Sequence, residues 1–308
     1  MPHSKPRRRA ARRNPLAFTL LIAIGLALIL ILVTSHRTSP ASQDNSTASS
    51  TAESTTQATE STESTTEPVT ETVTEPPATT EMIFASEAEE KIYAYAMANG
   101  LSMDDYPDFM VELLNTNPET ETYVLEYPFA KDASYTIDLS DLAGCTEVPL
   151  LLQWDSRWGY IEYGSSLAGL TACGPTCLSM VAIYLTQNTS YTPAYMIQYA
   201  LDNNYYVVGS GTSWSLFSQG TAALGMQAEE LPLSKSVIIS RLEAGQPVVC
   251  SMGPGLFTTQ GHFIVLVGVE DGKFRVNDPN SPQRSAMLWD YDDIEDQIRN
   301  LWAISLSS

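Results

Sequence analysis

The sequence predicts an α+β fold in which helices come first and an antiparallel sheet comes last. Helix starts and glycine stops recur from Ser86 to Gly245, and short apolar runs typical of strands follow from Val248. Asp271-Gly272 is a two-residue turn of the kind that joins adjacent antiparallel strands. About 160 residues at the carboxyl-terminal end are enough to enclose one hydrophobic core.

The first predicted helices lie ahead of this core. Ser86 and Glu89 form a capping box and Gly100 is a suitable stop, so a helix is predicted over 87–98. Pro107 and Pro118 each stand where a first helical turn would begin, which predicts short helices over 107–115 and 118–126.

In the main domain, the run after Cys173 is apolar on nearly all sides, so its helix should be central. The predicted helices cover 174–187, 193–203, 213–224, 235–244 and 291–299. The predicted strands are Val248–Met252, Phe263–Val269, Lys273–Asn277 and Leu301–Ser305.

The chain is predicted to have four parts. Residues 1–37 form a basic cytoplasmic tail with a transmembrane anchor at 16–33, although a cleaved signal peptide is the alternative. Residues 38–83 are Ser, Thr, Glu and Pro-rich and should be a disordered stalk. Residues 84–144 form a helical preface, and residues 145–308 form the main domain.

Charge argues against one class of partner. The chain has a formal net charge of −20, and residues 38–308 carry −27 because residues 1–37 hold seven basic side chains and no acid. So acidic a surface repels nucleic acid, which we do not expect as a partner. The positive-inside rule predicts a single-pass protein of the cell membrane, with a cytoplasmic amino terminus and an extracellular carboxyl-terminal domain.

Cys173 is the first candidate for chemistry. It precedes Gly174-Pro175 and therefore stands at the start of the central helix, where free N–H groups and the helix dipole favour a thiolate. A buried structural cysteine is the alternative. Cys177 is predicted to be a small buried residue, and a disulfide between Cys145 and Cys250 stays open.

His262 is the only histidine outside the first 37 residues. Beside a thiol nucleophile it would be the general base. Asp278 could orient the imidazole, although an aspartate before proline is also common in turns. Gln153 could donate its amide to an oxyanion.

These four residues occur in Pro149–Gly159, Ala172–Val181, Gly261–Gly268 and Val276–Ser281. In that combination the sequence resembles the C39-like peptidases of the papain-like superfamily over about Val148–Ser305. The resemblance implies a papain-like fold, with the nucleophile helix on the antiparallel sheet and a small helical segment ahead of it. It further implies Cys173 as nucleophile, His262 as base, Asp278 as its orienter and Gln153 in the oxyanion hole. With the anchor predicted at 16–33, we expect a membrane-anchored protein of a Gram-positive-type bacterium.

The predicted function is hydrolysis of a peptide or amide bond by a cysteine peptidase outside the cytoplasm. The substrate would be a peptide or protein, including cell-wall peptides. A wall amidase or transamidase using the same residues, or an inactive binding module, are the alternatives. We expect a monomer with no cofactor and no metal, and we interpret the acidic run Asp290–Asp296 as a helix start rather than a calcium site.

Strand register provides a test of this assignment. A regular hairpin at Asp271-Gly272 would place Asp278 opposite Val265, on the wrong side of the sheet for His262. A His262–Asp278 hydrogen bond therefore requires a wider loop or a β-bulge in the hairpin, and we predict such an irregularity.

Overall fold

The structure is a computed structural model that describes residues 82–307. They belong to one compact unit, Pro77–Ser308. Its first helices are α1 (Glu87–Ala98), α2 (Asp108–Thr116), α3 (Glu121–Leu125) and α4 (Tyr127–Ala130). The Ser86 hydroxyl accepts the Glu89 backbone N–H at 3.2 Å, so the capped helix predicted over 87–98 is confirmed. The predicted basic tail and nearly all of the predicted stalk lie outside the described residues.

The helix that begins at Cys173 is the centre of the main domain. All ten of its residues from Gly174 to Ile183 are buried, as an all-round apolar pattern predicts. The helices of this part are α5 (Ala168–Thr171), α6 (Cys173–Thr186), α7 (Pro193–Asp202), α8 (Ser215–Ser218), α9 (Lys235–Glu243), α10 (Pro282–Ser285) and α11 (Tyr291–Ile294).

The described residues form one main sheet and two small hairpins. The strands are β1 (Glu162–Tyr163), β2 (Ser166–Leu167), β3 (Tyr206–Val207), β4 (Gly211–Thr212), β5 (Met226–Glu230), β6 (Val248–Met252), β7 (His262–Glu270), β8 (Lys273–Asn277), β9 (Leu288–Trp289) and β10 (Ile298–Leu306). The main sheet has six antiparallel strands in the order β5-β10-β6-β7-β8-β9. The hairpins β1–β2 and β3–β4 lie outside it.

Both faces of this sheet are buried. In β7, Phe263 and Val265 belong to the core that surrounds α6. Ile264 and Leu266 belong to a second core, which includes Ile238 of α9. Successive side chains of a strand point to opposite faces, so a continuous apolar run of this kind is typical of a strand covered on two sides.

Two predicted helices differ from the structure. The segment 213–224 is divided into α8 and a 3₁₀ helix at Gly220–Leu224. The segment 291–299 is helical only to Gln297, and β10 begins at Ile298 because the apolar run that follows is needed in the sheet. Strand β5 was not predicted, since an edge strand with exposed polar residues lacks the apolar signal of an inner one.

The predicted irregularity in the β7–β8 hairpin is confirmed. Gly268 pairs with Arg275, but Leu266 pairs with Val276, so the register shifts by one residue at Val267. Because of this shift, residue 278 belongs to the same side of the sheet as His262 and not to the opposite side. Both turn residues, Asp271 and Gly272, have positive φ, as a tight hairpin turn requires.

The prediction of a cell-membrane protein requires correction. Within residues 82–307 no helix is both long enough and apolar enough to cross a bilayer. The longest, α6, has 14 residues and therefore a length of about 21 Å, against about 30 Å of hydrocarbon. The finding contradicts the predicted single-pass membrane location, and that prediction is wrong. The predicted span Leu16–Val33 lies outside the described residues.

Candidate active site

Cys173 is the first residue of α6 and is only partly buried. Its backbone N–H has no hydrogen-bond partner among residues 82–307, as expected for the first turn of a helix. The next residue must be small, because a Cβ at Gly174 would lie 2.7 Å from the Thr212 side chain. These features leave a thiol and a free amide side by side at the helix start.

The other cysteines are in different environments. Cys177, one turn further along α6, is fully buried and donates its thiol to the Phe263 carbonyl oxygen at 3.3 Å. Burial raises the pKa of this thiol well above its ordinary value, so it stays protonated. Cys145 and Cys250 are free thiols, and the disulfide left open by the sequence is not formed.

His262 begins β7 and forms a short hydrogen bond with Asp278. Its Nε2 lies 2.7 Å from Asp278 Oδ1, and the two side chains are 7% and 0% exposed. Burial disfavours the imidazolium, but the charge and hydrogen bonding of Asp278, followed by those of Cys173, outweigh burial and raise the pKa of His262 to about 10. With Nε2 committed to Asp278, Nδ1 is the ring nitrogen left to face the thiol.

Asp278 is held by more than the histidine. Its Oδ1 also accepts the Asn280 backbone N–H at 2.8 Å, and its Oδ2 accepts Arg284 Nε at 2.5 Å. Burial opposes ionisation, but the positive charges of His262 and Arg284 outweigh it and lower the pKa of Asp278. Arg284 was not identified from the sequence as a partner of Asp278. A basic residue six positions after a candidate active-site aspartate could have indicated this pair.

The loop that carries Asp278 is fixed from the helical preface. Glu119 accepts hydrogen bonds from the Ser281 hydroxyl and, at 2.9 Å, from the Gln283 backbone N–H. Asn117 donates to the Asn280 carbonyl oxygen at 2.9 Å. The preface therefore contacts the same short segment that supplies Asp278 and Arg284.

Gln153 lies in the same cleft as Cys173 and His262. Its amide nitrogen donates to the Gly169 carbonyl oxygen at 2.9 Å, and its backbone N–H donates to the Pro279 carbonyl oxygen at 2.7 Å. An amide nitrogen has two N–H bonds, so one donor of Gln153 has no partner among residues 82–307. The structure thus brings Gln153, Cys173, His262 and Asp278 together.

The cleft lined by Gln153, Cys173 and His262 has a volume of about 760 Å³. In the described part of the chain no group of three His, Cys, Asp or Glu side chains could hold a metal ion. The acidic run Asp290–Asp296 was interpreted as a helix start, and its Asp292 and Asp293 lie in the first turn of α11. Asp290, just before that helix, forms an ion pair with Lys273.

A cysteine at the start of a central helix, close to a histidine–aspartate pair on an antiparallel sheet, is the arrangement of the papain-like class of fold. The chain belongs to the Peptidase_C39 like family, whose profile matches residues 145–305, just over half of its length. The resemblance to C39-like peptidases inferred from the motifs is therefore confirmed, together with the predicted fold class. Family and fold support a peptidase function.

Two solved structures are similar to this chain, each with a TM-score of 0.37. One is the peptidase domain of Streptococcus ComA, a bi-functional ABC transporter involved in a quorum sensing pathway, at 19% identity over 52% of this chain and 98% of that one. The other is a C39-like peptidase from Bacillus anthracis, at 16% identity over 57% and 100%. No curated protein gives a significant match.

Proposed function

We propose that the protein is a cysteine peptidase that hydrolyses a peptide or amide bond with Cys173 as nucleophile, His262 as acid and base, and Asp278 as the group that orients His262. The observation that carries the proposal is the buried 2.7 Å contact between His262 Nε2 and Asp278. An aspartate that only stabilised a turn would not need a buried hydrogen bond to a histidine. A bulge in the β7–β8 hairpin gives the register that this contact requires.

In the first half of the reaction the Cys173 thiolate attacks the carbonyl carbon of the scissile bond. The oxyanion that forms would accept hydrogen bonds from the Cys173 backbone N–H and from the second amide N–H of Gln153. His262, protonated on Nδ1, gives that proton to the leaving amine as the C–N bond breaks. A thioester on Cys173 and a neutral imidazole remain.

In the second half, His262 removes a proton from water as the water oxygen attacks the thioester carbon. The C–S bond breaks, the carboxylic acid product leaves, and the thiolate–imidazolium pair is restored. Asp278 keeps Nε2 protonated throughout and stabilises the imidazolium, so that Nδ1 is the nitrogen that gains and loses the proton. The balance is one water consumed for each bond cleaved.

The test uses two cysteines of one helix. Purified full-length protein is screened against peptides and cell-wall fragments, and hydrolysis is followed by mass spectrometry. Cys173→Ala should abolish hydrolysis, whereas Cys177→Ala should retain it because Cys177 is buried and donates to a backbone carbonyl. Iodoacetamide should label Cys173 and leave Cys177 unmodified. Equal loss of activity in two folded variants would mean that the nucleophile is wrongly assigned, and labelling without any hydrolysis would favour a binding module.

A further inference from the structure

The cleft around Cys173 is lined almost entirely by uncharged residues. Among the described residues that line it, Arg299 is the one charged side chain apart from His262. It is exposed, and it contributes to a cleft in a protein whose formal net charge is −20. A lone cation in such a cleft is a candidate for contact with substrate.

An irregularity in the sheet brings Arg299 to this place. Ile298 pairs with Met252 and Asn300 pairs with Ser251, so Arg299 is the extra residue of a bulge in β10. Bulges redirect a side chain away from the regular alternation and are frequent next to active sites. Here the bulge lies beside Met252, which pairs with His262 on the other side of β6.

The position of the guanidinium depends on a glycine. A Cβ at Gly253 would lie 2.3 Å from Arg299 Nε, so the guanidinium lies directly against the backbone of that residue. Any larger side chain at position 253 would displace it. Gly253 also lines the cleft, so the guanidinium lies on the cleft wall.

Arg299 differs from the other arginines of residues 82–307 in having no carboxylate partner within 4.0 Å. The others form ion pairs, Arg157 with Asp155, Arg241 with Glu229, Arg275 with Glu147 and Arg284 with Asp278. Among residues 82–307 the one side-chain hydrogen bond of Arg299 goes from Nη1 to the Asp296 carbonyl oxygen at 2.8 Å. An arginine has five N–H donors, so most of this guanidinium is available to a ligand.

We propose that Arg299 binds a carboxylate of the substrate, which makes this a peptidase for peptides with an acidic group near the scissile bond. The inference rests on the proposed function. The Arg299 backbone lies two strands from His262, about 10 Å, which is about three residues of extended peptide, and its guanidinium lies against Gly253, which follows the strand between them. The carboxylate would therefore be an Asp or Glu side chain within about three residues of the scissile bond, or a free carboxyl terminus within that distance.

The first experiment compares matched peptides. Each pair differs only in Glu against Gln at one position, or in a free acid against an amide at the carboxyl terminus, and kcat/KM is measured for each. The wild-type protein should prefer the charged member of one pair by about tenfold, the lower end for a charge-assisted hydrogen bond because Arg299 is exposed. The pair that responds distinguishes a side-chain carboxylate from a terminal one.

Three variants assign the preference to this side chain. Arg299→Gln should abolish it, Arg299→Glu should transfer it to a peptide with Lys at the same position, and Gly253→Ala should weaken it by displacing the guanidinium. Arg241→Gln is the control, because Arg241 is paired with Glu229 outside the cleft, and it should leave the preference unchanged. A preference that survives Arg299→Gln, or no preference in the wild type, overturns the inference while hydrolysis itself stands.

A second readout needs no hydrolysis. Peptidyl chloromethyl ketones and N-chloroacetyl peptides, each made with Glu and with Gln, extend to opposite sides of the reactive carbon and alkylate Cys173 at a measurable rate. Faster alkylation by the Glu reagent, lost in Arg299→Gln, supports the inference even if no peptide is cleaved, which would be the failure of the proposed function alone. Equal rates for the Glu and Gln members of both reagent types overturn it.

Discussion

Replacement of Asp278 by Asn should lower the pKa of His262 by about two to three units. In the native protein the carboxylate is the main cause that raises this pKa to about 10, against burial that lowers it. An opposite charge within hydrogen-bond distance shifts a pKa by about one to three units, and this one is buried, so the upper part of that range applies. Each unit corresponds to about 1.36 kcal/mol, so the change removes about 3–4 kcal/mol of imidazolium stabilisation.

The assay is an NMR titration of the His262 ring carbon-bound protons. The measurement uses a His3→Gln, His36→Gln background, so that the single remaining histidine gives the signal. The native protein should hold the imidazolium through neutral pH and lose its proton only as the pH rises through about 10. In the Asp278→Asn variant that loss should occur between about pH 7 and 8.

The same shift should appear in catalysis. In the proposed mechanism the alkaline limb of kcat/KM reports the loss of the proton that His262 gives to the leaving group, so it should move to lower pH with the NMR titration. Asp290→Asn is the control, because Asp290 is a half-exposed carboxylate outside the cleft, paired with Lys273 at 2.8 Å, and it should move neither curve. A native pKa near the ordinary 6.5, or a titration unchanged by Asp278→Asn, would refute the reasoning.

Two further predictions concern groups outside the reacting set. Glu119→Gln removes one of the two oxygens that accept hydrogen bonds from Ser281 and Gln283. We expect kcat/KM to fall about tenfold and the free energy of unfolding to fall by about 1–2 kcal/mol. Lost stability with full activity would mean that Glu119 only stabilises the fold. In chemical denaturation, Trp158→Phe should lower the free energy of unfolding by about 1–3 kcal/mol more than Trp302→Phe does. The indole N–H of Trp158 donates to a carbonyl oxygen at 2.8 Å, whereas the buried N–H of Trp302 has no partner among residues 82–307. A larger cost at Trp302 would contradict this.

The central helix and the inner strands were predictable because burial on all sides leaves a strong apolar pattern. Val248–Met252 and Lys273–Asn277 have the predicted bounds. The bulge at Val267 was predictable because two requirements, a tight turn and a His262–Asp278 contact, are incompatible in a regular hairpin. At this position the bulge was predicted by the need for a His262–Asp278 contact and not by strand propensity.

The supports of the site were not predictable in the same way. Glu119 precedes Gln283 by 164 residues, and nothing in either local sequence indicates that they meet. The residues on either side of Arg299 do not indicate a binding role. Its place in the cleft depends on the bulge in β10, and no turn-forming residue in the sequence predicts that bulge. Contacts between distant segments follow from tertiary packing, which periodicity and turn chemistry do not contain.

The contact between the helical preface and the Asp278 loop bears on how the protein can have evolved. The preface lies ahead of residues 145–305, which define the family, yet its Glu119 anchors the segment that carries Asp278 and Arg284. A substitution at position 119 removes a partner of the Ser281 hydroxyl and of the Gln283 backbone N–H, so it should favour a compensating change at position 281. Preface and peptidase region should therefore have been inherited together and co-varied, rather than exchanged between proteins as separate modules.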